Sequence, residues 1–291
     1  MRALETMMAS TAGSRITAAP VHTATTPMRL AAANPRGAVK VSGLNHTYDV
    51  AGRITQALDD VTFEIEPGRF VVVVGPSGCG KSSLLMMMTG LLRPTSGSIL
   101  CGAAPMTTPD PDRVGVVFQE ASLYPWLTAQ NNVEFPLSLK GVAKAERAAR
   151  AREKLKLVGL EGFEDRYPHE LSGGMKQRVS IARGLVQDPP ILMLDEPFAA
   201  LDEQTRLTMG DELLRIWEKT GKTVVFVTHS LTEAAYLADE IIVMSARPGR
   251  IIDRIAVDLP RPRTMEMMAT AQFGALRERI WKQIRTEASR P

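Results

Sequence analysis

Phe70-Val71-Val72-Val73-Val74-Gly75-Pro76-Ser77-Gly78-Cys79-Gly80-Lys81-Ser82-Ser83 decides the architecture. Five apolar residues, four of them β-branched, make a run too short for a buried helix. A strand covered on both faces, as in a parallel sheet, fits it. The glycine-rich turn that follows matches G-x-x-x-x-G-K-[ST], and Lys81 to about Gly90 reads as a helix ended by Gly90. In a strand–turn–helix of this kind, Gly75, Gly78 and Gly80 let successive backbone N–H groups turn inward around an anion. The starting helix adds its free N–H groups and its dipole. Lys81 suits β- and γ-phosphates, and the Ser82 hydroxyl suits Mg²⁺. Pro76, Ser77 and Cys79 fill the free positions of the turn, and Ser83 follows it. Cys79 is given no redox role. The motif implies a nucleoside triphosphate but does not separate the many enzymes that use one.

Working outward, Ile191–Leu194 is a second buried strand, and it ends in Asp195-Glu196-Pro197. Ligands in open α/β sheets sit at the carboxyl ends of strands. Asp195 is therefore placed for Mg²⁺. Glu196, one residue on, points differently and can take a proton from an attacking water. His229 ends another buried run, Val224–Thr228, and belongs on the same rim, where it can donate to the γ-phosphate. His22, His46 and His169 have no such context and read as structural or surface residues.

Leu171-Ser172-Gly173-Gly174-Met175, followed by Lys176-Gln177-Arg178, resembles the signature loop of the ATP-binding cassette (ABC) ATPases. Ser172 and the glycines Gly173 and Gly174 open a helix and make a second anion site. The resemblance implies a P-loop NTPase, RecA-like α/β core with an antiparallel β subdomain and an inserted α-helical subdomain. It implies a head-to-tail pair of cassettes, two identical chains or this chain with a similar one, that sandwiches ATP between the phosphate loop of one and the signature of the other. By the same resemblance, Gln119 looks like the glutamine that contacts Mg²⁺ or water and senses the transporter. Tyr48 looks like the aromatic that stacks on adenine, with strand packing as the alternative. Ala200-Leu201-Asp202 looks like the loop at the dimer interface, with Asp202 near nucleotide. Ser230 stands where the family usually has Asp. Tyr124-Pro125-Trp126-Leu127, Arg247-Pro248-Gly249-Arg250-Ile251 and Leu259-Pro260-Arg261-Pro262 are similar to the nitrate/sulfonate/taurine-type importer ATPases. For Trp126, core packing is the competing reading. The implied role is hydrolysis of ATP to drive uptake of a small anion or organic solute. A separate membrane permease and an external substrate-binding protein would complete the system, with this chain on the cytoplasmic face of the inner membrane. The alternative is an ABC-type ATPase acting on a non-transport assembly partner.

The chain has 291 residues, 44% hydrophobic and 23% charged, which is ample for a core and ordinary for a globular protein. Two cysteines, Cys79 and Cys101, lack metal-ligand spacing. A net charge of +3 and 5% scattered aromatics offer nucleic acid no basic stripe with stacking rings. No run approaches the length of a membrane span. Residues 1–37, rich in Ala, Thr, Met, Ser and Pro, read as a disordered extension. The pattern changes from Ala38. Val39–Leu44 and Val61–Ile65 read as strands flanking a turn at Gly52. Val114–Phe118 and Ile241–Met244 are further strands, with short ones at Ile251–Ile252 and Ile255–Val257. Lys144–Leu157 and Met175–Leu185 read as helices of an insertion at about residues 120–186. The resemblance to the ABC ATPases covers about residues 38–260. Residues 261–291 form a basic tail, with Met265–Arg285 helical and its arginines on a solvated face or a dimer contact. Met86-Met87-Met88 reads as adaptable core packing.

Overall fold

The computed structural model describes residues 35–288. In chain order the elements are β1 (Val39–Val50), β2 (Arg53–Ile65), β3 (Phe70–Val74), α1 (Lys81–Met88), β4 (Ser96–Cys101), β5 (Ala104–Pro105) and β6 (Val114–Val117). Then come α2 (Ala129–Leu139), α3 (Lys144–Leu157), α4 (Gly173–Leu185), β7 (Ile191–Asp195), α5 (Glu203–Thr220) and β8 (Thr223–Val227). The last are α6 (Leu231–Leu237), β9 (Glu240–Met244), β10 (Ile251–Ala256) and α7 (Ala271–Ala288).

A six-stranded sheet has the order β10-β9-β3-β8-β7-β6, parallel except for β10, which pairs antiparallel with β9. Every residue of β3, β7 and β8 is buried, which is why these strands are apolar without alternation. Their side chains still alternate between two cores. Phe70, Val72 and Val74 join the core formed with α4, α5, α6 and α7. Val71 and Val73 join the core shared with α1 and the smaller antiparallel sheet, whose order is β2-β1-β4-β5. Helices α2, α3 and α4 pack on one another between β6 and β7.

Several elements differ from the reading of the sequence. Strands β1 and β2 run on to Val50 and Arg53 and close in a two-residue turn at Ala51 and Gly52, both at positive φ. Such a turn matches the twist of a hairpin. Three register shifts between Val41 and Thr47 break the period of two, which hides the outer half from pattern reading. The two short strands after Gly249 are one strand, β10. The tail helix begins as a 3-10 turn, Met265–Ala269. Extended Thr270 interrupts it and caps α7, its hydroxyl oxygen accepting the Phe273 N–H at 3.3 Å. Most of the stretch read as a disordered extension, residues 1–34, lies outside the described residues. Its last three residues are ordered: Pro35–Gly37 form a 3-10 turn, and the Gly37 carbonyl accepts the Thr223 hydroxyl at 2.7 Å. Met87 and Met88 are core residues, whereas Met86 is exposed.

The basic tail is also not a solvated face where it begins. Arg261 stacks over Trp217 at 4.2 Å, and Arg263 is buried. Trp217 itself donates its indole N–H to the Gly68 carbonyl at 3.0 Å and meets Phe70 edge-on. It thus joins α5, the start of β3 and the tail. Trp217→Ala is expected to lower stability by about 3–5 kcal/mol through the cavity and lost contacts, and Trp217→Phe by less. Urea unfolding followed by circular dichroism checks this; equal losses for the two variants would contradict the packing role.

Candidate functional site

The carboxyl ends of β3, β7, β8 and β9 lie along one edge of the larger sheet. A cavity of about 420 Å³ sits at this edge. Its walls are Tyr48, Thr55 and Ala57 of the β1–β2 hairpin, then Ser77, Gly78, Gly80, Lys81, Ser82 and Ser83 of the turn and α1. Glu196 and Arg247 complete it. A Cβ on Gly80, at φ 103°, would lie 2.7 Å from the Leu58 side chain and 3.0 Å from the Ala57 carbonyl oxygen. Only glycine lets the turn pass that close to β2.

Lys81 is 5% exposed, and its ammonium donates to the carbonyl oxygens of Gly75 and Pro76 at 2.9 Å each. A buried ammonium needs such partners. Gly75, Pro76 and Cys79 therefore sit behind the cavity wall. Burial pushes the Cys79 thiol up, so it stays protonated. Tyr48 stands at the other end, its hydroxyl 2.9 Å from that of Ser83. Its ring lines the cavity and also meets His46 of the same strand edge-on, with centroids 4.5 Å apart.

Asp195 ends β7 and accepts the Ser82 hydroxyl at 3.0 Å. Burial pushes its carboxyl above the usual range; the Ser82 bond opposes this and neighbouring Glu196 adds to it. A half-compensated buried carboxylate beside a hydroxyl is a hard oxygen pair that fits Mg²⁺ together with phosphate oxygens. Glu196 follows at φ 45°, left-handed for a residue with a side chain. Its N–H still donates to the Val227 carbonyl at 2.9 Å, as a continuing strand would. Its carboxylate, however, meets Nδ1 of His229 at 2.8 Å on the cavity rim. The left-handed turn thus replaces strand alternation and leaves both acids at the site.

Other residues singled out in the sequence are not brought to this cavity within one chain. Gln119 is exposed after β6 and does not line it. Ser172 caps α4, its hydroxyl oxygen accepting the Met175 N–H at 3.3 Å, with Gly173 and Gly174 in the first turn. Asp202 caps α5 through the N–H and hydroxyl of Thr205, at 2.9 and 2.7 Å. Each is a helix N-terminus at the surface, away from the cavity walls.

A family model described as ABC transporter matches residues 58–199. The taurine import ATP-binding protein TauB of Rhizobium johnstonii is 47% identical over 234 residues, 79% of this chain and 89% of that one. An aliphatic sulfonates import ATP-binding protein, SsuB of Bacillus cereus, is 42% identical over 245 residues, 84% of this chain and 95% of that one. Among solved structures, the dimeric ATP-binding cassette MJ0796 in a post-hydrolysis state with ADP and Pi has a TM-score of 0.68 and 37% identity. It covers 76% of this chain and 100% of its own. The chain belongs to the ABC transporter ATP-binding family. It binds ATP and is an ATPase.

In this ABC ATPase, Ser230 caps α6, its hydroxyl oxygen accepting the Glu233 N–H at 3.3 Å. Serine caps a helix about as well as aspartate, so the departure from the family pattern keeps the local structure. Sequence reasoning missed three cavity residues. Thr55 and Ala57 lie in the half of the hairpin that pattern reading lost. Arg247 was quoted only as a subfamily feature, although a cation just after a buried parallel strand is a signal for the site rim.

The Asp195 shift carries a prediction. Its folded value is raised, so ionising it destabilises the nucleotide-free fold. That destabilisation is absent below the ordinary carboxylate value, grows as pH rises above it and is complete once pH passes the raised one. Asp195→Asn is therefore expected to raise the melting temperature of the nucleotide-free chain at pH 7–8 and to abolish ATPase activity. The gain should shrink as pH falls through the raised folded value. Scanning calorimetry across pH checks it; a variant less stable than the parent at pH 8 would contradict it.

Proposed function

We propose that this ATPase is the energy-coupling subunit of an importer for taurine or related sulfonates. The observation that carries the reading is that Lys81, Ser82 and Glu196 line one cavity, with Asp195 bonded to Ser82 and His229 to Glu196, in a chain similar to proteins named for taurine and sulfonate import. Among the described residues no helix is long and apolar enough to cross a membrane. A separate permease then supplies the path, and an external binding protein supplies cargo. The ATPase works from the cytoplasmic face as a homodimer. Ser172, Gly173, Gly174 and Asp202 of one protomer then face the cavity of the other, which gives these surface helix ends the phosphate they lack within one chain.

In this reading Lys81 exchanges its carbonyl partners for the β- and γ-phosphates. Ser82 and Asp195 would hold Mg²⁺, which supplies neutralisation of phosphate charge. Glu196 takes the proton of the attacking water, and His229 orients Glu196 and donates to the γ-phosphate. Gln119 joins only when its segment moves inward.

That segment is well placed to transmit such a motion. Gln177 of α4 donates to the Phe118 carbonyl at 3.2 Å, and Arg183 of α4 donates to the carbonyls of Ala121 and Ser122 at 2.7 and 2.9 Å. Buried Asn132 of α2 holds the next stretch, accepting from the Tyr124 N–H and donating to the carbonyls of Tyr124, Leu127 and Thr128. Trp126 is left 71% exposed on this pinned loop, against the core-packing reading. We take it as a permease contact.

Glu196→Gln is expected to slow phosphate release about 10²- to 10⁴-fold while retaining ATP binding and dimerisation. Rapid turnover by this variant would remove the general-base role. The test of the whole reading is purification of the tagged chain from detergent-solubilised membranes, with mass spectrometry of its partners. A multi-span permease should accompany the parent and be lost with Trp126→Ala. Recovery of soluble partners alone, by a folded and ATP-competent chain, would replace transport with the assembly reading.

A further inference from the structure

The turn after β9 reaches the nucleotide cavity by a route that neither the phosphate loop nor the catalytic acids account for. Arg247 lines the cavity, and its Nε and Nη2 donate to the Gly78 carbonyl at 3.2 and 3.0 Å. Among the described residues it has no carboxylate within ion-pair distance, unlike the other arginine of the same turn, Arg250, which pairs with Asp59. An unpaired guanidinium therefore stands on the wall of a site for a polyanion.

The turn that presents it is held on several sides. The Gly249 N–H donates to the Ala57 carbonyl at 2.9 Å, and the Asp59 N–H donates to the Gly249 carbonyl at 3.0 Å. The Ser245 hydroxyl donates to the Pro248 carbonyl and accepts the Arg250 N–H, both at 2.9 Å. A Cβ on Gly249 would lie 2.1 Å from the Cys79 carbonyl oxygen, so the turn sits directly against the phosphate loop. Arg247 is thereby fixed between the hairpin wall at Ala57 and the middle of the phosphate loop at Gly78.

Resting on the nucleotide reading of this cavity, we infer that Arg247 is a nucleotide-binding residue. It reads the near end of the nucleotide, the α-phosphate and ribose, while Lys81 takes the far phosphates. Two donors on Gly78 orient the planar guanidinium, and its remaining N–H groups and its charge are available to the ligand. Since ADP and ATP share the α-phosphate, Arg247 contributes to both.

The test is isothermal titration of ADP and ATP into the full chain and three variants, with melting temperatures to establish folding. Arg247→Ala is expected to weaken ADP and ATP alike, by about 10- to 100-fold, as loss of a charge-assisted bond does. The KM for ATP should rise more than kcat falls. Arg247→Gln can still donate to the Gly78 carbonyl but has no charge, so it separates ligand binding from loop positioning. It should bind as weakly as Arg247→Ala, and Arg247→Lys should recover much of the loss. Parent-like affinity of Arg247→Gln would overturn the inference, as would a loss for Arg247→Ala confined to ATP. Lys81→Ala serves as the control for the cavity. If it binds nucleotide normally, the nucleotide reading itself fails; if it loses binding while Arg247→Gln does not, only the inference fails.

Discussion

Val73, Val227 and Asp195 stand side by side across three parallel strands, and the site depends on that register. β3 ends in the phosphate loop, β7 in the two acids and β8 in His229. A slip of one residue in β7 would invert its faces. Asp195 would leave Ser82, and Met193 would leave the core it shares with Val71 and Val225. Packing and chemistry are thus locked by one alignment. Because both faces of these strands are buried, the penalty for a slip falls on two cores at once.

That alignment brings like and unlike charges together at one edge, with Lys81 and Asp195 both buried. Lys81 is satisfied by backbone carbonyls rather than by Asp195, and Asp195 by a hydroxyl rather than by Lys81. A direct pair of the two would neutralise both and leave little for phosphate or cation. Keeping them apart leaves Asp195 under strain from burial, the condition in which an incoming divalent cation gains most. The left-handed Glu196 adds to the same tension.

The strands with continuous apolar runs were legible in the sequence, because burial on both faces leaves no other composition. The phosphate loop, Asp195, Glu196 and His229 were legible because their spacing is tied to strand ends. The outer hairpin was not, since its bulges and polar residues erase the alternation on which pattern reading relies. Helix α5 escaped a reading that followed the flanking strands and loops. So did the burial of Arg263, because an arginine looks solvated until its partners are seen. Ser172, Gly173 and Gly174 were legible as the start of a helix, and Asp202 only through the family resemblance. Their distance from the cavity is not a feature of local sequence, because it depends on how α4 and α5 fold against the sheet.

The burial of Arg261 and Arg263 has a structural reason that leads back to the site. α6 is seven residues long, too short to persist without help at its ends. Ser230, next to His229, caps its N-terminus. Arg263 donates to the carbonyls of Ala235 and Ala238 at 3.1 Å each, and Arg261 donates to that of Leu237 at 2.8 Å. Two cations at the C-terminal end also complement the helix dipole. Burial lowers the Arg263 guanidinium to about 10, with Arg261 adding to the shift, so it keeps its charge at neutral pH. The tail therefore fixes from behind the helix that starts just after the rim histidine. Residues beyond the sheet thus hold the helix that follows His229, while β8 itself carries the histidine to Glu196.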